Sequence, residues 1–176
     1  MVITLIGYRG SGKSTLAPRV AGALGWVWLD ADVELELRAG RTIKQIFAAE
    51  GEAGFRARER DLMHELLKCD RLVLAAGGGC ILNEETRREL KAAGPVVWLT
   101  APAEVLYSRI AGDATTADRR PNLAGGGLDE VQALLAKREP LYRECATIVC
   151  NVNSGSPDEL LSSVLAKLKP LISNKR

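Results

Sequence analysis

Aromatic side chains make up only 5% of this 176-residue chain, so aliphatic residues must build most of its core. Histidine occurs once, as His64, and the four cysteines (Cys69, Cys80, Cys145, Cys150) form no CxxC pair. The chain therefore lacks the ligand set of a zinc site, and the cysteines read as buried, reduced thiols. No stretch approaches the ~20 consecutive apolar residues that span a bilayer. No basic leader or cleavage site precedes the apolar Val2-Ile3-Thr4-Leu5-Ile6. A cytoplasmic protein without a membrane partner is expected. An excess of one charge is missing too. The formal net charge is +2, which supplies no general attraction for nucleic acid.

What is present is ordinary for a globular domain: 47% hydrophobic and 26% charged residues. The length suits one domain, 1–176, able to bury roughly two thirds of its unfolded surface. Short apolar runs alternate with longer helical patterns, which predicts βαβ units and a parallel sheet. The strand candidates are Val2–Ile6, Trp26–Leu29, Arg71–Ala75, Val96–Leu99 and Thr147–Cys150. Leu16, Val20 and Leu24 line one face of a helix after the first strand, and Pro18 within it predicts a kink. Asn83 before Glu84 and Glu85 reads as a helix start. Ser156-Pro157-Asp158-Glu159 combines an N-cap, a proline at the first helical position and a capping-box glutamate. That last helix is expected to end near Pro170. From 111 to 127 the chain is polar and glycine-rich, holds Arg119-Arg120-Pro121 and has one large apolar residue, Leu123. A segment of that kind inside a compact domain is expected to be either disordered or a functional lid.

Gly7-Tyr8-Arg9-Gly10-Ser11-Gly12-Lys13-Ser14 satisfies the phosphate-loop pattern G-x-x-x-x-G-K-[ST] at every fixed position. Glycines let the backbone curl so that successive N–H groups face phosphate oxygens. Lys13 brings a compact positive charge to the β- and γ-phosphates, and the Ser14 hydroxyl suits Mg²⁺. The loop follows a predicted strand and opens a predicted helix, as nucleotide binding requires. No N-K-x-D segment for guanine is present, which argues against a GTPase. A kinase needs an acceptor site, and three more segments suit one. Asp30-Ala31-Asp32 closes the second strand, where ligands of open α/β sheets gather. One carboxylate can reach a metal's water shell and the other an acceptor hydroxyl; a plain helix N-cap accounts equally well for one of them. In Phe55-Arg56-x-x-Glu59, arginine and glutamate stand three apart on a helix. Held so, the guanidinium suits a carboxylate ligand, although a solvated surface pair accounts for the same spacing. Gly77-Gly78-Gly79 follows the third strand and can bring bare N–H groups to a ligand.

Taken in order, these segments resemble the shikimate kinase family. The resemblance runs nearly end to end: the loop from Gly7 to Thr15, the D-x-D of Asp30 and Asp32, Phe55 to Glu59, the glycine turn, Arg120-Pro121-Asn122-Leu123, and Lys137-Arg138-Glu139-Pro140-Leu141-Tyr142. It implies a three-layer P-loop α/β fold with five parallel strands in the order 2-3-1-4-5. It also implies ATP- and Mg²⁺-dependent phosphorylation of the 3-hydroxyl of shikimate by a monomer. Gly10, Ser11, Gly12, Lys13, Ser14 and Thr15 would bind ATP, with Arg109 over the adenine. Ser14 would hold the metal directly and Asp30 through water. Asp32 would hold the acceptor hydroxyls and is the candidate for taking the proton. Arg56 and Arg138 would clamp the carboxylate, with Gly78 and Gly79 adding backbone contacts. Arg120 would close in with the lid and neutralise charge on the migrating phosphoryl group; with Lys13 and Asp32 it makes up the catalytic set. Asn122 in place of an apolar residue and the extra Arg119 depart from the commoner family pattern. Ala75-Ala76 leaves no Walker-B aspartate on strand three, which shifts the metal role to Asp30. The nearest rival is a kinase for another acidic polyol such as gluconate; a further one is a non-catalytic nucleotide-binding relative.

Overall fold

A computed structural model describes residues 1–112, 127–153 and 155–173. The expected lid therefore lies outside the described residues except at its two ends, as do Arg119, Arg120, Pro121, Asn122 and Leu123.

Five parallel strands form one sheet in the order β2-β3-β1-β4-β5. They are β1 (Val2–Ile6), β2 (Val27–Asp30), β3 (Leu72–Ala75), β4 (Val96–Thr100) and β5 (Ile148–Asn151). The helices are α1 (Lys13–Leu24), α2 (Ala31–Ala39), α3 (Ile43–Leu66), α4 (Glu84–Ala93), α5 (Ala103–Ala111), α6 (Gly127–Cys145) and α7 (Pro157–Ser173). A single 3₁₀ turn, Cys80–Leu82, leads into α4. Each expected strand is found within one residue of its predicted ends.

The central strand shows why the run Val2–Ile6 is apolar at every position but Thr4. Successive side chains of a strand face opposite ways, and here both faces are covered. Val2 and Ile6 pack into a core with α2, α3, α4 and α6. Ile3 and Leu5 pack into a second core with Leu16, Ala17 and Val20 of α1 and Val164 and Leu168 of α7. Three layers follow, with the sheet in the middle. β2 lies at the edge, and Val27 and Trp28 are exposed there.

Helix ends follow the side chains that satisfy their free N–H groups. Asn83 accepts from Thr86 N at 2.9 Å. Ser156 and Glu159 form the expected reciprocal cap, with Glu159 accepting from Ser156 N at 2.6 Å. A second capping box, Thr42 with Gln45, opens α3. Two expectations need correction. The helix α7 does not end near Pro170 but continues to Ser173, because Leu171 and Ile172 still have the second core to pack against. Cys69 is exposed rather than buried, whereas Cys80, Cys145 and Cys150 are buried; all four are free. The helix α1 runs from Lys13 to Leu24 with Pro18 inside it, and α3 carries a break at Gly51 with φ 68° and ψ −174°. Among the described residues no helix is long and apolar enough to cross a membrane.

Candidate active site

The chain leaves β1 at Ile6 and curls through the glycine loop before α1 begins at Lys13. Gly7, Gly10 and Gly12 adopt φ of 146°, 78° and 86°. A Cβ on Gly7 would stand 2.4 Å from the Leu99 carbonyl, so both conformation and space demand glycine there. Gly12 is the N-cap of α1 and brings no side chain to it. The first N–H groups of the helix thus remain for an anion. Lys13 Nζ donates to the Gly7 carbonyl at 2.9 Å and the Tyr8 carbonyl at 3.0 Å, which keeps its charge on the loop.

Asp30 carries two duties with two oxygens. One carboxylate oxygen accepts from the Ser14 hydroxyl. The other accepts from the N–H groups of Asp32 at 3.0 Å and Val33 at 3.3 Å, capping α2. The cap and the metal-side reading of this aspartate are therefore compatible. A hydroxyl and a carboxylate placed together are the hard oxygen donors that suit Mg²⁺. Asp32 sits in the first turn of α2, with its backbone fixed by that cap.

Arg56 is not a solvated surface residue. Its Nη1 donates to Glu59 Oε2 at 2.6 Å, and the Glu59 side chain is only 8% exposed. Glu52 approaches from the solvent side at 3.3 Å. Burial works against the guanidinium charge, but Glu59 and then Glu52 outweigh it, holding the Arg56 pKa above its ordinary value. The ring of Phe55, stacked on Phe47 at 4.6 Å, backs the same guanidinium at 5.2 Å.

The glycine turn meets this arginine. A Cβ on Gly79 would stand 2.3 Å from Arg56 Nη1. All three carbonyls of the turn are engaged within the protein: Gly77 O by Cys80 N at 3.1 Å, Gly79 O by Leu82 N at 3.0 Å, and Gly78 O by the Tyr142 hydroxyl at 2.6 Å. What the turn can offer a ligand is N–H groups, which match carboxylate or hydroxyl oxygens. Arg138, one turn before Tyr142 on α6, lies 5.6 Å above the Tyr8 ring of the phosphate loop, and its charge opposes the upward push that burial gives the Tyr142 pKa.

Burial first, then Glu59, pushes the pKa of the buried Cys80 thiol far up, Lys13 opposes the shift, and Asp32 adds to it. Arg109 stands at the other end of the loop, donating to Gly10 O at 3.4 Å and Val152 O at 3.2 Å. It bridges the phosphate loop and the segment after β5, at the site's edge. Tyr142 and Tyr8 were not singled out from sequence; the spacing of Tyr142, four residues after Arg138 on one helix face, was the available signal.

The shikimate kinase family model matches residues 9–169. Shikimate kinase of Rhodopirellula baltica is 46% identical over 162 residues, covering 92% of this chain and 87% of that protein. The structure of shikimate kinase from Acinetobacter baumannii in complex with shikimate superposes with a TM-score of 0.87 at 38% identity, covering 99% of this chain and 94% of that one. A gluconokinase from Sinorhizobium meliloti reaches a TM-score of 0.63 at 19% identity over 98% of this chain and 94% of its own, a likeness of fold alone. The family model over most of the chain, and 46% identity to a relative covered almost end to end, show the family: this chain belongs to the shikimate kinase family.

Proposed function

We infer that this chain transfers the γ-phosphoryl group of ATP to the 3-hydroxyl of shikimate, giving shikimate 3-phosphate and ADP, a step of chorismate and aromatic amino-acid biosynthesis. The observation that carries the acceptor side is Arg56, held by buried Glu59 against the Gly79 backbone. An arginine oriented in that way beside inward N–H groups fits a carboxylate in two-pronged fashion. Arg138 completes the clamp, and Asp32 takes the ring hydroxyls. On the donor side, residues Gly10 to Thr15 hold the phosphates and Arg109 covers the adenine. Mg²⁺ would be held by Ser14 directly and by Asp30 through water; when bound it neutralises charge on the β- and γ-phosphate oxygens. Lys13 and Arg120 meet the same charge from the protein. Phosphoryl transfer asks mainly for positioning and charge neutralisation, and these residues supply both. We place the whole reaction in one domain, 1–176, acting as a cytoplasmic monomer.

Purified protein with ATP and Mg²⁺ is expected to form ADP in a shikimate-dependent manner, and EDTA is expected to abolish it. Turnover with gluconate equal to or above that with shikimate would transfer the acceptor assignment to the sugar acid.

The contact between Gly79 and Arg56 supplies a sharper test. Gly79 has an ordinary negative φ of −103°, so alanine strains no backbone there. Its Cβ meets the far end of a flexible side chain, which can move aside. Gly79→Ala is therefore expected to melt close to wild type while displacing the guanidinium from its place. Its shikimate KM should rise like that of Arg56→Ala or Arg138→Ala, by about tenfold to a hundredfold, the value of one charge-assisted hydrogen bond. The ATP KM should hardly change. A normal shikimate KM in Gly79→Ala would detach Arg56 from the acceptor.

A further inference from the structure

The bond from Tyr142 to Gly78 reaches beyond packing. Gly78 C=O belongs to the same peptide plane as Gly79 N–H, and in a trans peptide the two point in opposite directions. Whatever fixes the carbonyl fixes the N–H. Tyr142 donates to that carbonyl at 2.6 Å, and Gly79 is the glycine whose Cβ would run into Arg56. A phenol has one proton to give, and here it goes to that carbonyl.

The ring that carries this hydroxyl has little freedom. Tyr142 is fully buried and stacks on Trp98 of β4 with centroids 5.8 Å apart. Two residues later on α6, Glu144 accepts from Arg87, whose Nη1 donates to Ile81 O at 2.9 Å. The helix is thus tied to the glycine turn at Gly78 and just beyond it at Ile81.

We propose that Tyr142 is a positioning residue for the acceptor site, its hydroxyl setting the direction of Gly79 N–H. The proposal rests on the shikimate-binding role given above to Gly79. It does not involve the ATP side.

Tyr142→Phe keeps the ring and its stack and removes only the hydroxyl. Steady-state kinetics and calorimetric titration should show shikimate KM and Kd raised about three- to tenfold, the scale of one neutral hydrogen bond. The ATP KM should stay within about twofold of wild type, well inside the scale of one hydrogen bond. Trp98→Phe, which trims the ring beneath Tyr142 without touching its hydroxyl, should lower the melting temperature and leave the ratio of the two KM values unchanged. A shikimate KM unmoved in Tyr142→Phe, or raised equally by Trp98→Phe, or raised in step with that for ATP, would reduce Tyr142 to a packing residue. Any of these in an enzyme whose wild type phosphorylates shikimate overturns this inference alone. A wild type inert toward shikimate overturns the functional reading with it.

Discussion

Arg120→Ala is expected to lower kcat by about 10³-fold or more, the scale on which an arginine meeting phosphoryl-transfer charge acts. Affinities for ATP and shikimate should stay close to wild type, because the charge it meets develops only during transfer. Arg119→Ala should fall within a few-fold of wild type. Two adjacent arginines offer a control in the chain itself, since net charge falls equally in both variants and only position differs. Pro121 is the reason to choose Arg120: the residue before a proline is restricted to extended backbone, which limits where its side chain can aim. The expectation rests on sequence order in the R-P-x-L segment. Steady-state kinetics on the two variants decide it. A dead Arg119→Ala with an active Arg120→Ala would move the register by one residue. Two active variants would remove the lid arginine from the mechanism.

The second large effect is expected at Asp32. The Asp30 carboxylate caps the helix on which Asp32 stands, so replacing the Asp32 side chain leaves its backbone held. Asp32→Asn keeps the size and one acceptor oxygen but cannot take a proton. Loss of a positioned base costs about 10² to 10⁴ in rate, and kcat is expected to fall within that range while calorimetry still detects shikimate binding. Asp32→Ala should lose binding as well, since no oxygen remains for the ring hydroxyls. A kcat in Asp32→Asn within a few-fold of wild type would make Asp32 a binding group and leave the proton to solvent or to the phosphate itself.

The strands were legible because both cores press on the sheet. A strand buried on two faces is mostly apolar, and a short, nearly continuous apolar run such as Val2–Ile6 fits that pattern. Capping chemistry was equally local: Asn83 and Ser156 satisfy N–H groups within three residues of themselves. Pro170 misled because local propensity was set against distant packing. A helix loses one hydrogen bond at a proline, but Leu171 and Ile172 have the second core to recover apolar burial.

The phosphate loop, too, was decided by sequence alone. Its function depends on conformations that only glycine takes freely and on one lysine a fixed distance along the same turn, so residue types at fixed spacing carry nearly the whole specification. The acceptor site is different. Whether Arg56 and Glu59 form a solvated pair or a buried, oriented one depends on what covers them, and i,i+3 spacing is the same in both cases. Only folding brings the glycine turn after β3 against that guanidinium and Tyr142 of α6 against the turn. The bond from Tyr142 to Gly78 joins positions 64 residues apart, and no local pattern encodes it. Covalent neighbours determine backbone conformation over a few residues. The direction of a buried side chain is set by low-dielectric surroundings that distant parts of the chain assemble.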